Sequence, residues 1–182
     1  MRVIAGKFGG RRLVSFDEGH IRPTTDRVKE SLFNILATSM DDARVLDVFS
    51  GTGNLGIEAL SRGAQSVTFV EKHPASIKII RQNLELLKIT EGFEILKTDA
   101  LKFAAKYDGP PYDVVLIDPP FPLKICSQIL EELERNGNIS HPGTVFAIEH
   151  QEHEPLLEQI GELVRTDQRD YGDKRVSFFK RK

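Results

Sequence analysis

A strongly apolar run, Tyr112–Ile117, ends in the tetrapeptide Asp118-Pro119-Pro120-Phe121. Proline has a fixed φ and no N–H, so two in succession can neither join a sheet ladder nor continue a helix. They hold the backbone extended just beyond a buried strand, where a carboxylate, carbonyl oxygens and one aromatic ring leave the sheet edge together. Such a group suits a planar exocyclic amine, because the oxygens accept its hydrogens while the ring stacks on the base. We therefore predict that these four residues form a catalytic site.

A glycine-rich loop follows another strand-like run further upstream. Gly51, Gly53 and Gly56 have the G-x-G-x-x-G spacing of a nucleotide-binding loop, and Glu71 ends the next strand. The carboxylate of Asp47 precedes this loop, where it would repel a pyrophosphate and attract a cation. S-adenosylmethionine carries a cationic amine and a sulfonium and has no phosphate, so the sequence favours this cofactor over a dinucleotide.

The predicted cofactor site takes further residues from the same strand ends. Asp99, after the third strand, is placed to accept from the adenine amine, as Glu71 is for the ribose hydroxyls. The predicted cofactor-binding residues are Asp47, Phe49, Ser50, Gly51, Thr52, Gly53, Glu71, Lys72, Asp99 and Ala100. Other roles stay open for the acids: Asp47 as a cap or loop-ordering group, Glu71 as a surface residue, and Asp99 as a helix N-cap.

The elements that position these residues alternate between strand-like and helical patterns. Strand-like runs cover residues 44–49, 66–71, 93–97, 112–117 and 144–149, and helical spacing occurs at about 25–38, from Pro74, and around Cys126. This alternation predicts one doubly wound α/β domain with helices on both faces of a parallel sheet. Residues 1–4 and 12–16 are predicted to pair as an N-terminal hairpin, and residues 163–167 and 175–180 as a C-terminal one.

The distribution of charge indicates a polyanionic partner. The 182 residues, 40% hydrophobic and 29% charged, carry a net charge of −2 and fit one domain with a sizeable core. Residues 1–30 nevertheless hold seven Lys and Arg against four Asp and Glu, and residues 165–182 hold seven against three. Basic ends on an acidic body are typical of a surface that faces nucleic acid.

The predicted RNA-binding residues are Arg2, Lys7, Arg11, Arg12, Arg22, Arg27 and Tyr171. Two of these arginines, Arg22 and Arg27, could instead pair with acids such as Asp26, and Tyr171 could simply close the C-terminal hairpin.

Several other classes of function are disfavoured. No apolar run approaches the ~20 residues of a membrane span, so no membrane partner is expected. Cys126 is the only cysteine, which favours a reducing cytoplasm, and it lies on an apolar helix face that we expect in the core. His150 and His153, with Glu149 and Glu152, resemble metal ligands but straddle a strand end, so we expect no metal.

The order of these motifs resembles class I S-adenosylmethionine-dependent amino-methyltransferases, and the flanks resemble the RsmD family nearly end to end. The segments that carry the family resemblance are residues 2–6, 10–13, 22–28, 32–36 and 171–173. The resemblance implies a Rossmann-like fold with a mostly parallel, seven-stranded sheet, a C-terminal antiparallel hairpin and a small N-terminal extension. It also implies a single domain over residues 1–182, with residues 1–23 as a basic N-terminal β-hairpin extension and residues 24–182 as the catalytic core that binds S-adenosylmethionine.

The same resemblance implies a function. It is methylation of the N2 amine of one specific guanine in bacterial 16S rRNA, with S-adenosylmethionine as donor and S-adenosylhomocysteine as product. The substrate would be the small ribosomal subunit or its assembly intermediate, and we expect a cytoplasmic monomer. Two alternatives stay open: a DNA adenine-N6 methyltransferase, which also uses Asp-Pro-Pro-aromatic, and a non-catalytic ribosome-assembly module that retains the fold.

Overall fold

The computed structural model describes residues 1–16, 25–120 and 124–182 of the chain. Its α-helices are α1 (Asp26–Ile35), α2 (Asn54–Ser61), α3 (Pro74–Leu86), α4 (Ala100–Lys106) and α5 (Cys126–Arg135). Its strands are β1 (Arg44–Val48), β2 (Ser66–Glu71), β3 (Phe93–Lys97), β4 (Tyr112–Ile117), β5 (Ser140–Gln151), β6 (Gln159–Ile160), β7 (Leu163–Tyr171) and β8 (Lys174–Arg181). None of the helices in these ranges is both long and apolar enough to cross a bilayer.

All these strands form one sheet in the order β3-β2-β1-β4-β5-β8-β7-β6. The first five are parallel to one another, and β8, β7 and β6 are each antiparallel to their neighbours. The predicted doubly wound α/β fold is thus confirmed. The chain order reverses at β1, which pairs with both β2 and β4, and such a switch point is where open α/β sheets bind ligands. The sheet has eight strands rather than seven because the two-residue β6 adds to the edge formed by β7.

The hydrophobic core lies on both faces of this sheet. Side chains alternate along each strand, so β1 sends Val45 to one face and Leu46 to the other. The first face is covered by α1, α2 and α3, and the second by α4 and α5. By the same alternation, Asp47 and Glu149 lie on the face of the sheet that α1, α2 and α3 cover.

Strand bounds agree closely with the sequence patterns except at β5 and at β7, which runs to Tyr171 instead of residue 167. Residues 66–71, 93–97 and 112–117 form strands as predicted, and β1 ends one residue early. β5 begins at Ser140 instead of residue 144, and its register with β4 is irregular between Tyr112 and Val114. Pro142 and Gly143 lie in the added part and break the apolar alternation, since both residue types are unfavourable in strand interiors.

The N-terminal hairpin is present only in part, because its two arms pair without forming regular strands. Arg2 and Arg12 form an isolated antiparallel bridge around a short 3-10 turn at Gly6–Phe8, and backbone hydrogen bonds join Val3 to Arg11 and Gly10, and Leu13 to Met1. The amides of Ile4 and Ala5 donate to the side chain of Glu58 in α2, at 2.8 and 3.1 Å, instead of to an opposing strand. The C-terminal hairpin is present as β7 and β8, and it turns at Gly172 with φ of +70°.

Candidate active site

The candidate site lies at the carboxyl ends of the central strands. β1 lies between β2 and β4, with Asp47 opposite Phe69 on one side and Leu116 on the other. Asp118 directly follows β4, and its amide lies 3.5 Å from the carbonyl oxygen of Val48. The sheet therefore brings the glycine loop and the Asp-Pro-Pro segment together, although 71 residues separate Asp47 from Asp118.

The glycine loop, residues 49–53, has an unusual backbone. Phe49, Gly51 and Gly53 all have left-handed φ values, at +61°, +53° and +79°. Glycine adopts this region without steric cost, whereas the half-buried Phe49 is held there by packing. A Cβ on Gly56 would lie 2.3 Å from the ring of Phe69 and 2.9 Å from the carboxylate of Asp47, so glycine here lets α2 pack closely on β1 and β2.

Asp47 is a buried carboxyl group with little compensation among the described residues. It is 1% exposed, and its Oδ2 accepts a hydrogen bond from the amide of Gly56 at 2.9 Å. Burial, together with the nearby charges of Asp118 and Glu71, raises its pKa from 3.8 to about 8. A cation placed here would relieve the repulsion among three acids, whereas a pyrophosphate would increase it. The arrangement fits the ammonium and sulfonium of S-adenosylmethionine.

Glu71 is held rigidly at the end of β2. One carboxylate oxygen accepts from the amide of Gly51 at 2.8 Å, and the other accepts from the amides of Lys72 and His73, both at 2.8 Å. It is 7% exposed, which excludes the surface-residue interpretation. The carboxylate thus braces the glycine loop, and its remaining lone pairs are available to a ligand with hydroxyl groups.

Asp99 serves as the N-cap of α4. Its Oδ1 accepts from the amides of Leu101 and Lys102 at 3.1 and 3.3 Å, and its Oδ2 lies 3.7 Å from the ammonium of Lys72. The capping role that the sequence left open is therefore present, and contact with adenine stays a prediction. Ala100 is buried at the start of α4.

Two other predicted loop residues make internal contacts. The hydroxyl of Ser50 donates to the carbonyl oxygen of Asp47 at 2.7 Å, which closes the turn after β1. The carbonyl oxygen of Thr52 accepts from the side-chain amide of Asn83 in α3 at 3.1 Å, and its hydroxyl lies 3.5 Å from the sulfur of Met1. The glycine loop therefore touches the N-terminal segment, residues 1–16.

The Asp-Pro-Pro segment is accessible at the sheet edge. Asp118 and Pro119 are half-buried, and Pro120 is exposed. Phe121 and Arg22, both predicted site residues, lie outside the described residues.

The predicted RNA-binding cations cover the N-terminal segment and the start of α1. Lys7, Arg11, Arg12 and Arg27 are exposed, and so is Arg2. Asp26 pairs with Arg2, at 2.8 Å between exposed groups. Tyr171 pairs with Lys174 at the turn between β7 and β8, so its hairpin-closing role is present. Its hydroxyl donates to Ser31 of α1, and its ring packs against the core. Its contact with RNA stays a prediction.

A buried ionic network that sequence reasoning missed connects the N-terminal segment to α2. The fully buried ammonium of Lys29 donates to the carbonyl of Arg2 at 2.5 Å and to Asn54 Oδ1 at 2.7 Å, and lies 3.2 Å from Glu58. Burial lowers the pKa of Lys29, opposed by the charge of Glu58. Arg62 completes the network, 2.8 Å from Glu58. Scattered charges on two helices gave no signal of this pairing, because Lys29 and Glu58 are 29 residues apart in sequence.

The histidines near the end of β5 also have a structural setting. His150 is buried, with Nε2 2.9 Å from the hydroxyl of Ser177 and Nδ1 within hydrogen-bonding distance of two backbone carbonyl oxygens. Glu149 is buried as an ion pair with Lys174 of β8. Cys126 is in the core, as expected, and burial raises the pKa of its thiol.

The chain is similar to known proteins over most of its length. Residues 1–180 match the model of a family described as "Conserved hypothetical protein 95". Ribosomal RNA small subunit methyltransferase D of Haemophilus influenzae is 38% identical over 159 residues, covering 86% of this chain and 82% of that protein. The protein of the same name from Escherichia coli K12 is 38% identical over 146 residues, covering 80% and 73%. The solved structure of Escherichia coli yhhF has a TM-score of 0.89 and 32% identity, and covers 100% of this chain and 98% of that one.

Proposed function

The chain belongs to the RsmD family, and we propose that it methylates the exocyclic N2 amine of one guanine in 16S rRNA. Methyl transfer to ribosomal RNA from S-adenosylmethionine follows from the family. The choice of guanine N2 is the finer part of the proposal. The observation that carries methylation of an exocyclic amine is the position of Asp118 and Pro119 at the carboxyl end of β4, beside the glycine loop and the buried Asp47. The choice of guanine N2 over adenine N6 rests on the resemblance of the flanking segments to the RsmD family.

S-adenosylmethionine supplies an electrophilic methyl group when bound. Its holding residues would be Asp47 toward the cationic amine, Glu71 toward the ribose hydroxyls, and the glycine loop, whose backbone can approach closely. Asp99, through the oxygen that faces Lys72, would accept from the adenine amine. These assignments use the acceptor groups that the strand ends present at the switch point of the sheet.

The guanine N2 lone pair is delocalised into the ring, so the amine is a weak nucleophile. Hydrogen bonds from N2–H to the Asp118 carboxylate and to the carbonyl of Pro119 would favour a pyramidal nitrogen with higher electron density. They also place negative charge where positive charge develops during transfer. Pro119 and Pro120 fix these acceptors in one orientation, which contributes through proximity.

Base stacking and phosphate contacts complete the proposed substrate site. Phe121 would stack on a guanine that has left its helix, a contact worth about 1–3 kcal/mol. The cations Arg2, Lys7, Arg11, Arg12 and Arg27 would contact phosphates, since ribosomal RNA is bound largely through its backbone. We further propose that the chain acts as a cytoplasmic monomer on the small subunit or its assembly intermediate.

The test is transfer of a labelled methyl group to unmethylated small subunits, to naked 16S rRNA and to DNA, followed by nucleoside analysis. We expect N2-methylguanosine from an RNA substrate. Asp118→Ala should bind the cofactor normally but lose most of the single-turnover rate, because the missing acceptor acts mainly in the transition state. Asp108→Ala, an exposed carboxylate before the opposite end of β4, is the matched control and should retain the wild-type rate.

Other outcomes identify the alternatives. Methylated adenine in DNA would indicate the adenine-N6 enzyme, and tight binding to small subunits without any transfer would indicate an assembly module. Wild-type single-turnover rates in Asp118→Ala would refute the catalytic role of that residue.

A further inference from the structure

We propose that Asn83 is a positioning residue that fixes the glycine loop and the N-terminal segment against each other. The inference rests on the proposed function for the identity of the two ligands, the cofactor at the loop and RNA at the segment. Asn83 lies on α3, outside every predicted motif, and it is fully buried.

The side chain of Asn83 makes hydrogen bonds to backbone atoms of two separate segments. Its Oδ1 accepts from the amide of Val14 at 2.7 Å, and its Nδ2 donates to the carbonyl of Val14 at 3.0 Å. The second hydrogen of Nδ2 donates to the carbonyl of Thr52 at 3.1 Å. One side-chain amide thus pairs with Val14 as an opposing strand would, and at the same time holds the middle of the glycine loop.

Only an asparagine side chain satisfies this geometry. An aspartate could accept from Val14 but could not donate twice, and a glutamine is one methylene too long for a fully buried site. An apolar residue would leave the partly buried N–H and C=O of Val14 and the C=O of Thr52 without their partner in Asn83, at a cost in free energy. The conformation of the glycine loop therefore depends on Asn83, a residue that does not need to contact the cofactor.

Ser61 provides a matched control on the neighbouring helix α2. It is also buried and also holds the N-terminal segment, since its hydroxyl accepts from the amide of Phe8 at 2.9 Å and donates to the carbonyl of Ala5 at 2.5 Å. These hydrogen bonds do not reach residues 49–53. Loss of Ser61 should loosen the segment alone, whereas loss of Asn83 should loosen both the segment and the loop.

The experiment compares Asn83→Ala and Ser61→Ala by calorimetric binding of S-adenosylmethionine, at a temperature where urea unfolding shows both chains folded. We expect the Kd of the cofactor to rise about fivefold to tenfold in Asn83→Ala, the factor that corresponds to one lost hydrogen bond. In Ser61→Ala it should stay within about twofold. Binding to unmethylated small subunits should weaken in both variants, because both loosen the basic segment.

Asn83→Asp adds a measurement, the pH dependence of cofactor affinity, that a general loss of packing would not change. In its ionised form the new carboxylate cannot donate to Thr52, whereas its protonated form can donate one hydrogen bond. Cofactor affinity relative to wild type should therefore recover as the pH falls, and Asn83→Ala should show no such recovery.

Equal changes in cofactor Kd for Asn83→Ala and Ser61→Ala, or no change in either, would overturn the positioning role. This outcome is distinct from failure of the proposed function. A wild-type chain that does not bind S-adenosylmethionine would refute both, whereas a wild type that methylates RNA while the two variants behave alike refutes only the role of Asn83.

Discussion

Replacing Asp47 by asparagine should stabilise the free protein at neutral pH and at the same time weaken its binding of the cofactor. The pKa of this buried carboxyl is raised from 3.8 to about 8. An acid whose pKa is higher in the folded state contributes stability that is fully present below pH 3.8. That stability is lost as the pH rises toward 8, because the unfolded chain ionises freely and the folded chain does not.

The expected change in the free energy of unfolding follows from the interval between the unfolded and folded pKa values of Asp47. Each pH unit between 3.8 and about 8 costs the wild type about 1.4 kcal/mol, so the loss reaches about 4 kcal/mol near pH 7. The asparagine side chain would keep the acceptor for Gly56 but would bury an amide N–H₂, at a cost of about 1–3 kcal/mol. The net expectation for Asp47→Asn is therefore a gain of about 1–3 kcal/mol in the free energy of unfolding at pH 7.

The assay is urea unfolding of both chains, without ligand, at several values between pH 4.5 and pH 8.5. The free energies of unfolding of the wild type and of Asp47→Asn should be equal near the acidic end of this range. Their difference should increase as the pH rises. Cofactor affinity of the wild type should change with pH in the opposite direction to its stability. It should increase as the pH rises, because the ionised carboxylate becomes available to the cationic amine. In Asp47→Asn it should be at least about tenfold lower at pH 8, since a hydrogen-bonded charge pair has been removed. Parallel stability profiles for the two chains would show that Asp47 is not a strained buried acid and would refute the reasoning.

Three further predictions concern the supporting residues. Glu71→Ala should weaken cofactor binding by about 1–3 kcal/mol in calorimetry, because a charged acceptor that also braces the amide of Gly51 is lost; unchanged binding would contradict its role. Lys29→Met should lower the free energy of unfolding in urea by about 3–5 kcal/mol, because Glu58 stays fully buried without one of its cations; a neutral effect would mean that Arg62 compensates alone. Arg12→Ala should reduce the slope of log K against log salt for binding to small subunits by somewhat under one unit, about 0.7–0.9, and an unchanged slope would show that Arg12 touches no phosphate.

Local patterns in the sequence were sufficient for the central sheet. β2 and β4 are mostly apolar and buried, as strands inside a parallel sheet with both faces covered must be, and the partly buried β3 lies at the edge of the sheet. Asp47 and Asp118 could be recognised because a carboxylate inside or directly after an apolar strand is conspicuous. Their meeting at one edge then follows from the strand order of doubly wound folds.

The N-terminal segment shows where local patterns fail. Residues 1–4 and 12–16 look like strands, and they do pair around the Arg2–Arg12 bridge. The pairing goes no further, since the amides of Ile4 and Ala5 donate to Glu58, and those of Phe8 and Val14 donate to Ser61 and Asn83. Each of these partners is more than 50 residues away and lies on a helix. A side chain that replaces an opposing strand leaves no periodic signature, so this part of the structure could not be derived from the sequence.

Two buried carboxylates show how the structure separates a structural acid from a ligand-binding one. Glu58 is fully buried, but Lys29, Arg62 and the amides of Ile4 and Ala5 surround it with positive charge and donors. Asp47 is buried to the same degree with the amide of Gly56 as its hydrogen-bond donor among the described residues, and the charges of Asp118 and Glu71 oppose its ionisation. A folded chain gains nothing from an uncompensated acid at its sheet edge unless a ligand supplies the missing cation. The sign of that missing charge is what favours a sulfonium cofactor over a nucleotide with a pyrophosphate.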